Sequence, residues 1–286
     1  MNKIILLLAL VCFLGCRGPS QESAATVSGS VESIGGLPIA YTAQGRGDTA
    51  VVLLHGWCCD QSYWSKQVEA LQDGYRVVTL DLGGHGKSGM EREGWPLMAY
   101  GADVAAVLDQ LGLRRVVLVG HSMGGSVALE TARLRPESVI GVVGVDSLHD
   151  VEFQFNAAEM RAFVAALEMD FDRACREFVR SMFLADADPD LVDRVATNMC
   201  YGPPEVGVAL MRQIPDYDMG AALRAVQVPV RCINASSFPT NVEANRKHAA
   251  NYEVVLMDGV GHFPMLERPE EFNRLLVAAI EEIDAV

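Results

Sequence analysis

Short apolar runs, each closed by a polar residue or a glycine turn, constrain this chain more than any other feature. Residues 50–54 end in His55-Gly56, 75–80 in Asp81, 116–119 in Gly120-His121-Ser122, and 139–145 in Asp146. Residues 228–233 and 253–257 form two further strand-like runs. A strand that is apolar on both faces must be covered on both, which is the place of a parallel strand between two layers of helix. The intervening stretches 61–71, 98–111, 124–134, 241–250 and 269–283 carry helical patterning. Ahead of them, 27–34 and 37–41 flank Gly35-Gly36 and read as an antiparallel pair. The alternation predicts an α/β fold with a mainly parallel, eight-stranded sheet flanked by helices.

Residues 148–222 break that rhythm. They hold no strand-like run, and 157–169, 171–183, 189–199 and 204–214 each read as an amphipathic helix. The expected organisation is a core made of 31–147 and 223–286, with 148–222 inserted as a helical cap or lid over the site.

The N-terminus is not expected to belong to the fold. Lys3 precedes eleven apolar residues, 4–14, whereas a bilayer span takes about 20. A short positive start and a short apolar stretch read as an export signal. The closing Phe13-Leu14-Gly15-Cys16 resembles a bacterial lipoprotein signal, in which the Cys becomes the lipidated N-terminus. The resemblance implies a signal peptide at 1–15, lipidation of Cys16, a flexible tether over 16–30, and an exported domain anchored to a bacterial membrane. Plain secretion is the alternative.

Composition narrows the partners. Half of the 286 residues are hydrophobic and 21% are charged, which is enough to bury a large core. Lys plus Arg number 23 against 37 Asp plus Glu. No basic run supplies the cationic face that nucleic acid requires, so nucleic acid is excluded as a partner. Without Cys12 and Cys16, the cysteines are Cys58, Cys59, Cys175, Cys200 and Cys232. Five thiols in so large a domain do not make a disulfide scaffold. Their pairing stays open, and at least one is unpaired. No C-x-x-C or H-x-x-x-H spacing is present, and no metal or organic cofactor is expected.

Gly120-His121-Ser122-Met123-Gly124 is a G-x-S-x-G pattern between a strand and a helix. Its glycines permit a sharp turn. The turn presents the Ser122 hydroxyl beside a helix N-terminus, where free N–H groups stabilise developing negative charge. A hydroxyl needs an imidazole to take its proton. His262, in Gly261-His262-Phe263 after the last strand, is the candidate base. His55 and His121 fit structural or substrate-lining roles, and His85 a structural one. His149 and His248 have no motif around them and default to surface or core. The backbone N–H groups of Trp57 and Met123 are placed to form an oxyanion hole, with the Trp57 side chain lining an acyl pocket.

With these pieces in order, the chain resembles an α/β-hydrolase-fold serine hydrolase over about residues 30–286. The matching motifs are His55-Gly56-Trp57, the run from Asp81 to Ser88, Gly120 to Gly125, and Gly261-His262. Related dehalogenases and epoxide hydrolases carry Asp where Ser122 stands. The resemblance implies cleavage of a carboxylic ester or similar small acyl compound through an acyl-enzyme. Amide, peptide, lactone or C–C hydrolysis, or ligand sensing with weak turnover, are the alternatives. One departure concerns the triad acid. The family usually carries it after the strand that here is 228–233, but this chain reads Asn234-Ala235 there and has no carboxylate before Glu243. Some members place the acid after the preceding strand, which assigns it to Asp146. Asp150 and Glu243 are the alternatives.

Overall fold

The computed structural model describes residues 26–285. Eight strands form one sheet: β1 (Val27–Glu32), β2 (Pro38–Gly45), β3 (Ala50–Leu54), β4 (Arg76–Leu80), β5 (Val116–His121), β6 (Val139–Val145), β7 (Val230–Ala235) and β8 (Tyr252–Met257). Their spatial order is β1-β2-β4-β3-β5-β6-β7-β8. The β1–β2 and β2–β4 pairs are antiparallel; every other pair is parallel. All residues of β3 and β5 are buried, as strands apolar on both faces require.

The register determines where chemistry emerges. Leu54 lies beside Gly120, His121 beside Val145, and Val145 beside Ile233. The C-terminal ends of β3, β5, β6 and β7 are therefore level, and the residues that follow them meet at one sheet edge.

Helices α2 (Leu97–Gln110), α3 (Met123–Leu134), α8 (Met219–Ala225) and α9 (Val242–His248) pack in succession, while α1 (Ser65–Leu71), α10 (Pro264–Glu267) and α11 (Pro269–Asp284) form a second group. The cap holds α4 (Ala157–Met169), α5 (Phe171–Ser181), α6 (Pro189–Cys200) and α7 (Pro204–Gln213). Three of its helices begin on a side-chain cap: Asn156, Asp170 and Asp188 each accept a backbone N–H of the first turn. A disulfide, Cys175–Cys200, joins α5 to α6. Cys58, Cys59 and Cys232 are free and buried.

Two expected boundaries shift. Residues 27–30, read both as the end of the tether and as part of an antiparallel strand, belong to β1, because Val27 through Glu32 pair continuously with β2. The cap boundary at 222 falls inside α8, which packs on α3 and α9 and so goes with the core. The signal segment and Cys16 lie outside the described residues. Among the described residues, no helix is long and apolar enough to cross a membrane, and no cluster of His, Cys, Asp or Glu is arranged to hold a metal.

Candidate active site

Ser122 sits between β5 and α3 with φ 53° and ψ −119°, a strained backbone that the surrounding glycines make possible. A Cβ on Gly120 would lie 2.1 Å from the Gly124 carbonyl oxygen, and one on Gly124 would lie 2.5 Å from that of Leu54. Neither position has room for a side chain. The Ser122 N–H donates to the Val145 carbonyl at 3.0 Å. The Ser147 hydroxyl donates to the Ser122 carbonyl at 2.8 Å. The turn is thereby held from both sides.

Gly56 packs directly against this turn: a Cβ there would be 3.3 Å from Ser122 Cβ and 2.9 Å from His121 Nδ1. The loop His55-Gly56-Trp57 is thus brought beside the hydroxyl. Among the described residues, neither the Trp57 N–H nor the Met123 N–H is bonded elsewhere. Met123 opens α3, so its N–H has no intrahelical acceptor. The Trp57 side chain is not a free pocket wall. Its indole N–H donates to the Gly207 carbonyl at 2.9 Å, and its ring packs on Phe171 and Phe178 of α5. It fastens the loop 55–57 to the cap.

His262 follows β8. Its Nδ1 is 2.5 Å from Asp146 Oδ2. Donation from Nδ1 to the carboxylate leaves Nε2 as the proton-accepting nitrogen. The His262 backbone is also braced. Its N–H donates to the Met182 carbonyl of the cap at 2.9 Å, and its carbonyl accepts from His121 Nε2 at 2.8 Å. The N–H groups of Gly261 and Phe263 donate to the Glu267 carboxylate at 2.9–3.1 Å.

Asp146 follows β6 and is almost wholly buried. Its Oδ1 accepts the Ala235 N–H at 2.7 Å. Burial pushes its carboxyl upward, but hydrogen bonds from His149 and His262 outweigh this and hold it well below the usual carboxylate range. Asn234, standing where the acid is usual, accepts the Ser147 N–H at 3.2 Å and donates to Thr240 Oγ1 at 3.1 Å. The alternatives lie elsewhere. Asp150 accepts from the Glu152 N–H and Asn241 Nδ2, and Glu243 is exposed in the first turn of α9.

Three buried histidines tie the loops together. His55 donates from Nδ1 to the Gly56 carbonyl at 2.8 Å and accepts the Leu82 N–H on Nε2 at 2.9 Å. His85 donates to the Gly83 carbonyl and accepts the Cys58 N–H. His121 joins the Ser122 turn to the His262 loop. Burial lowers the pKa of His55, and lowers those of His85 and His121 to about 3. All three are therefore neutral struts at pH 7. Being about 1% exposed, His55 and His121 take the structural option rather than lining a substrate. Sequence reasoning passed over His149, Asn234 and Glu267. Their roles depend on contacts made across the sheet edge or within tight turns, which no motif spacing displays.

Residues 51–275 match the model of the alpha/beta hydrolase family. The chain is 32% identical over 173 residues to the dihydrolipoyllysine-residue acetyltransferase component of the acetoin cleaving system of Cupriavidus necator, spanning 44% of that protein's length. It is 30% identical over 276 residues to the Pseudomonas putida counterpart, covering 93% of this chain and 70% of that one. It is 28% identical to a pimeloyl-[acyl-carrier protein] methyl ester esterase of Yersinia pseudotuberculosis, covering 85% of this chain and 96% of that one. Among solved structures, a bromoperoxidase from Bacillus anthracis superposes with TM-score 0.81 at 24% identity, covering 89% of this chain and all of that one. An N-acyl homoserine lactone degrading enzyme superposes with TM-score 0.76 at 26% identity, covering 87% and 99%. With the fold, the Ser122 turn and the family match in agreement, the chain belongs to the alpha/beta hydrolase family.

Proposed function

We propose that the chain is a serine hydrolase that cleaves a carboxylic ester or a similar small acyl compound through an acyl-enzyme. The observation that carries this reading is the 2.5 Å Asp146–His262 pair at the sheet edge from which the strained Ser122 turn emerges. Ser122 Oγ attacks the acyl carbonyl while His262 Nε2 takes its proton. Asp146 orients the imidazole and stabilises the imidazolium. The carbonyl oxygen, now an anion, accepts the Trp57 and Met123 N–H groups. Each such donor is worth about 3 kcal/mol to the transition state. Collapse expels the alcohol, which leaves with the proton from His262. Water, deprotonated by the same nitrogen, then attacks the Ser122 ester and releases the acid.

Two similar proteins support an acyl–oxygen bond as the target: one is named for a methyl ester and one for an N-acyl homoserine lactone. The direct test is hydrolysis of p-nitrophenyl acetate, butyrate and octanoate. Turnover by the wild-type protein that disappears in Ser122→Ala and His262→Ala supports the mechanism. Turnover that survives in Ser122→Ala refutes it.

We further propose export with a lipid anchor at Cys16. The Cys175–Cys200 disulfide supports an oxidising compartment, since such bonds are rare in the cytosol.

A further inference from the structure

A histidine outside every motif lies against the acid. Asp146 and Leu148 both have positive φ, 40° and 52°. This tight winding folds His149 back over Asp146, with Nε2 3.3 Å from Oδ1. His262 Nδ1 lies 2.5 Å from Oδ2, so the carboxylate sits between two imidazoles.

The surroundings select one tautomer of His149. Asn234 Nδ2 can only donate, and it reaches Thr240 Oγ1 at 3.1 Å. Thr240 accepts that bond and turns its own proton toward His149 Nδ1, 3.1 Å away. Asn234 Nδ2 also faces Nδ1 at 3.4 Å. A ring nitrogen approached by donors is the acceptor, so the proton of the neutral imidazole stands on Nε2 and points at Asp146. The charged group against the ring is Asp146; Asp150, next along the chain, is engaged by Asn241 and the Glu152 N–H. Thr240 and Asn234 are neutral, as is Phe238, whose ring meets that of His149 at 6.1 Å and that of His262 at 6.5 Å.

We infer that His149 is a positioning residue for the acid: its Nε2–H donates to one oxygen of Asp146 and aims the other at His262. The inference rests on the serine-hydrolase reading of the site. It also accounts for Asn234. A carboxylate at 234 could not donate to Thr240, and it would set a second negative charge beside Asp146. Placing the acid after β6 and recruiting Asn234, Thr240 and His149 to support it are parts of one arrangement.

The test compares the wild-type protein with His149→Ala, His149→Gln and Thr240→Val, using p-nitrophenyl acetate across pH and an NMR titration of the His262 side chain. A carboxylate with one donor fewer is a stronger base and holds the His262 imidazolium more firmly. His149→Ala should lower kcat about tenfold, the scale of one lost charge-assisted hydrogen bond, with KM little changed. The acid limb and the His262 titration should both move to higher pH. His149→Gln, which restores an N–H donor, should recover most of the rate and return the titration toward wild type. Thr240→Val frees the tautomer and should move both readouts the same way by a smaller amount, so it decides the matter if His149→Ala does not fold. Unchanged kcat and an unmoved His262 titration in a folded His149→Ala, or in Thr240→Val alone, would overturn the inference. Absence of ester turnover in the wild-type protein would count against the hydrolase reading, and the NMR titration would still decide this one.

Discussion

Mild acid should weaken the fold through the neutral histidines behind the site, by an amount that can be worked out. His85 and His121 are fully buried, and burial lowers each pKa to about 3. In the unfolded chain a histidine titrates near 6.5. Between those values the unfolded chain binds protons that the folded chain excludes. Stability is therefore whole above about pH 6.5 and falls as pH falls toward 3. From pH 7 to pH 5.5 each histidine contributes a loss of about 1.2 kcal/mol, so the two together cost about 2.5 kcal/mol. His55 adds in the same direction. Asp146 does not oppose the trend there: its carboxyl is held below the usual range, so its contribution is lost only below about pH 4. A loss of this size is a large fraction of a typical stability of about 5–15 kcal/mol. Urea unfolding at pH 7.0 and 5.5 measures it, with His85→Gln and His121→Gln isolating each share. Each variant should lose about 1.2 kcal/mol less on acidification than the wild-type protein. Equal losses in wild type and both variants, or an NMR titration of either imidazole above pH 5, would refute the reasoning.

Asp146→Asn should lower ester turnover by about 10⁴-fold with the fold intact, as loss of the orienting acid does in other triads. Asp150→Asn and Glu243→Gln should leave turnover near wild type, and the reverse pattern would move the acid. Replacing Cys175 and Cys200 by Ala opens a loop of 25 residues. Chain entropy puts the cost at about 3.5 kcal/mol, read as a lower urea midpoint; an unchanged midpoint would mean the crosslink adds nothing. Cys16→Ala should abolish incorporation of a fatty-acid probe, and labelling that persists would defeat the anchor.

The parts legible in the sequence are those that depend on neighbours along the chain. The runs at 116–119 and 139–145, which lead to Ser122 and Asp146, gave away the parallel strands, because burial on both faces leaves no polar position inside them. The four cap helices were legible from their amphipathic spacing. Ser122 showed itself through Gly120 and Gly124, whose missing side chains the tight turn demands. Asp146 could be named only through the family resemblance, which allows an acid after either strand, since its approach to His262 spans 116 positions of chain. His149 was passed over because two positive-φ residues, not any spacing, fold it onto the acid. The indole of Trp57 was assigned to a pocket because nothing local reveals the carbonyl of Gly207, 150 residues away. The edge strand β1 was partly taken for tether because its side chains are exposed and only backbone pairing holds it.

The attachments between cap and core bear on how such an enzyme can be re-engineered. The cap supplies the acceptor for the His262 N–H through Met182 and the acceptor for the Trp57 indole through Gly207. Both acceptors are main-chain carbonyls. Transplanting a foreign cap would therefore unseat the His262 and Trp57 loops together, even if Ser122, Asp146 and His262 were retained. Substitution of single side chains is the gentler route to a new substrate. At position 182 the attachment to His262 runs through the carbonyl, while the Met182 side chain packs, partly buried, against the core. Position 207 cannot take a side chain, because a Cβ there would meet the Phe171 ring at 2.9 Å and Cys58 Sγ at 3.0 Å.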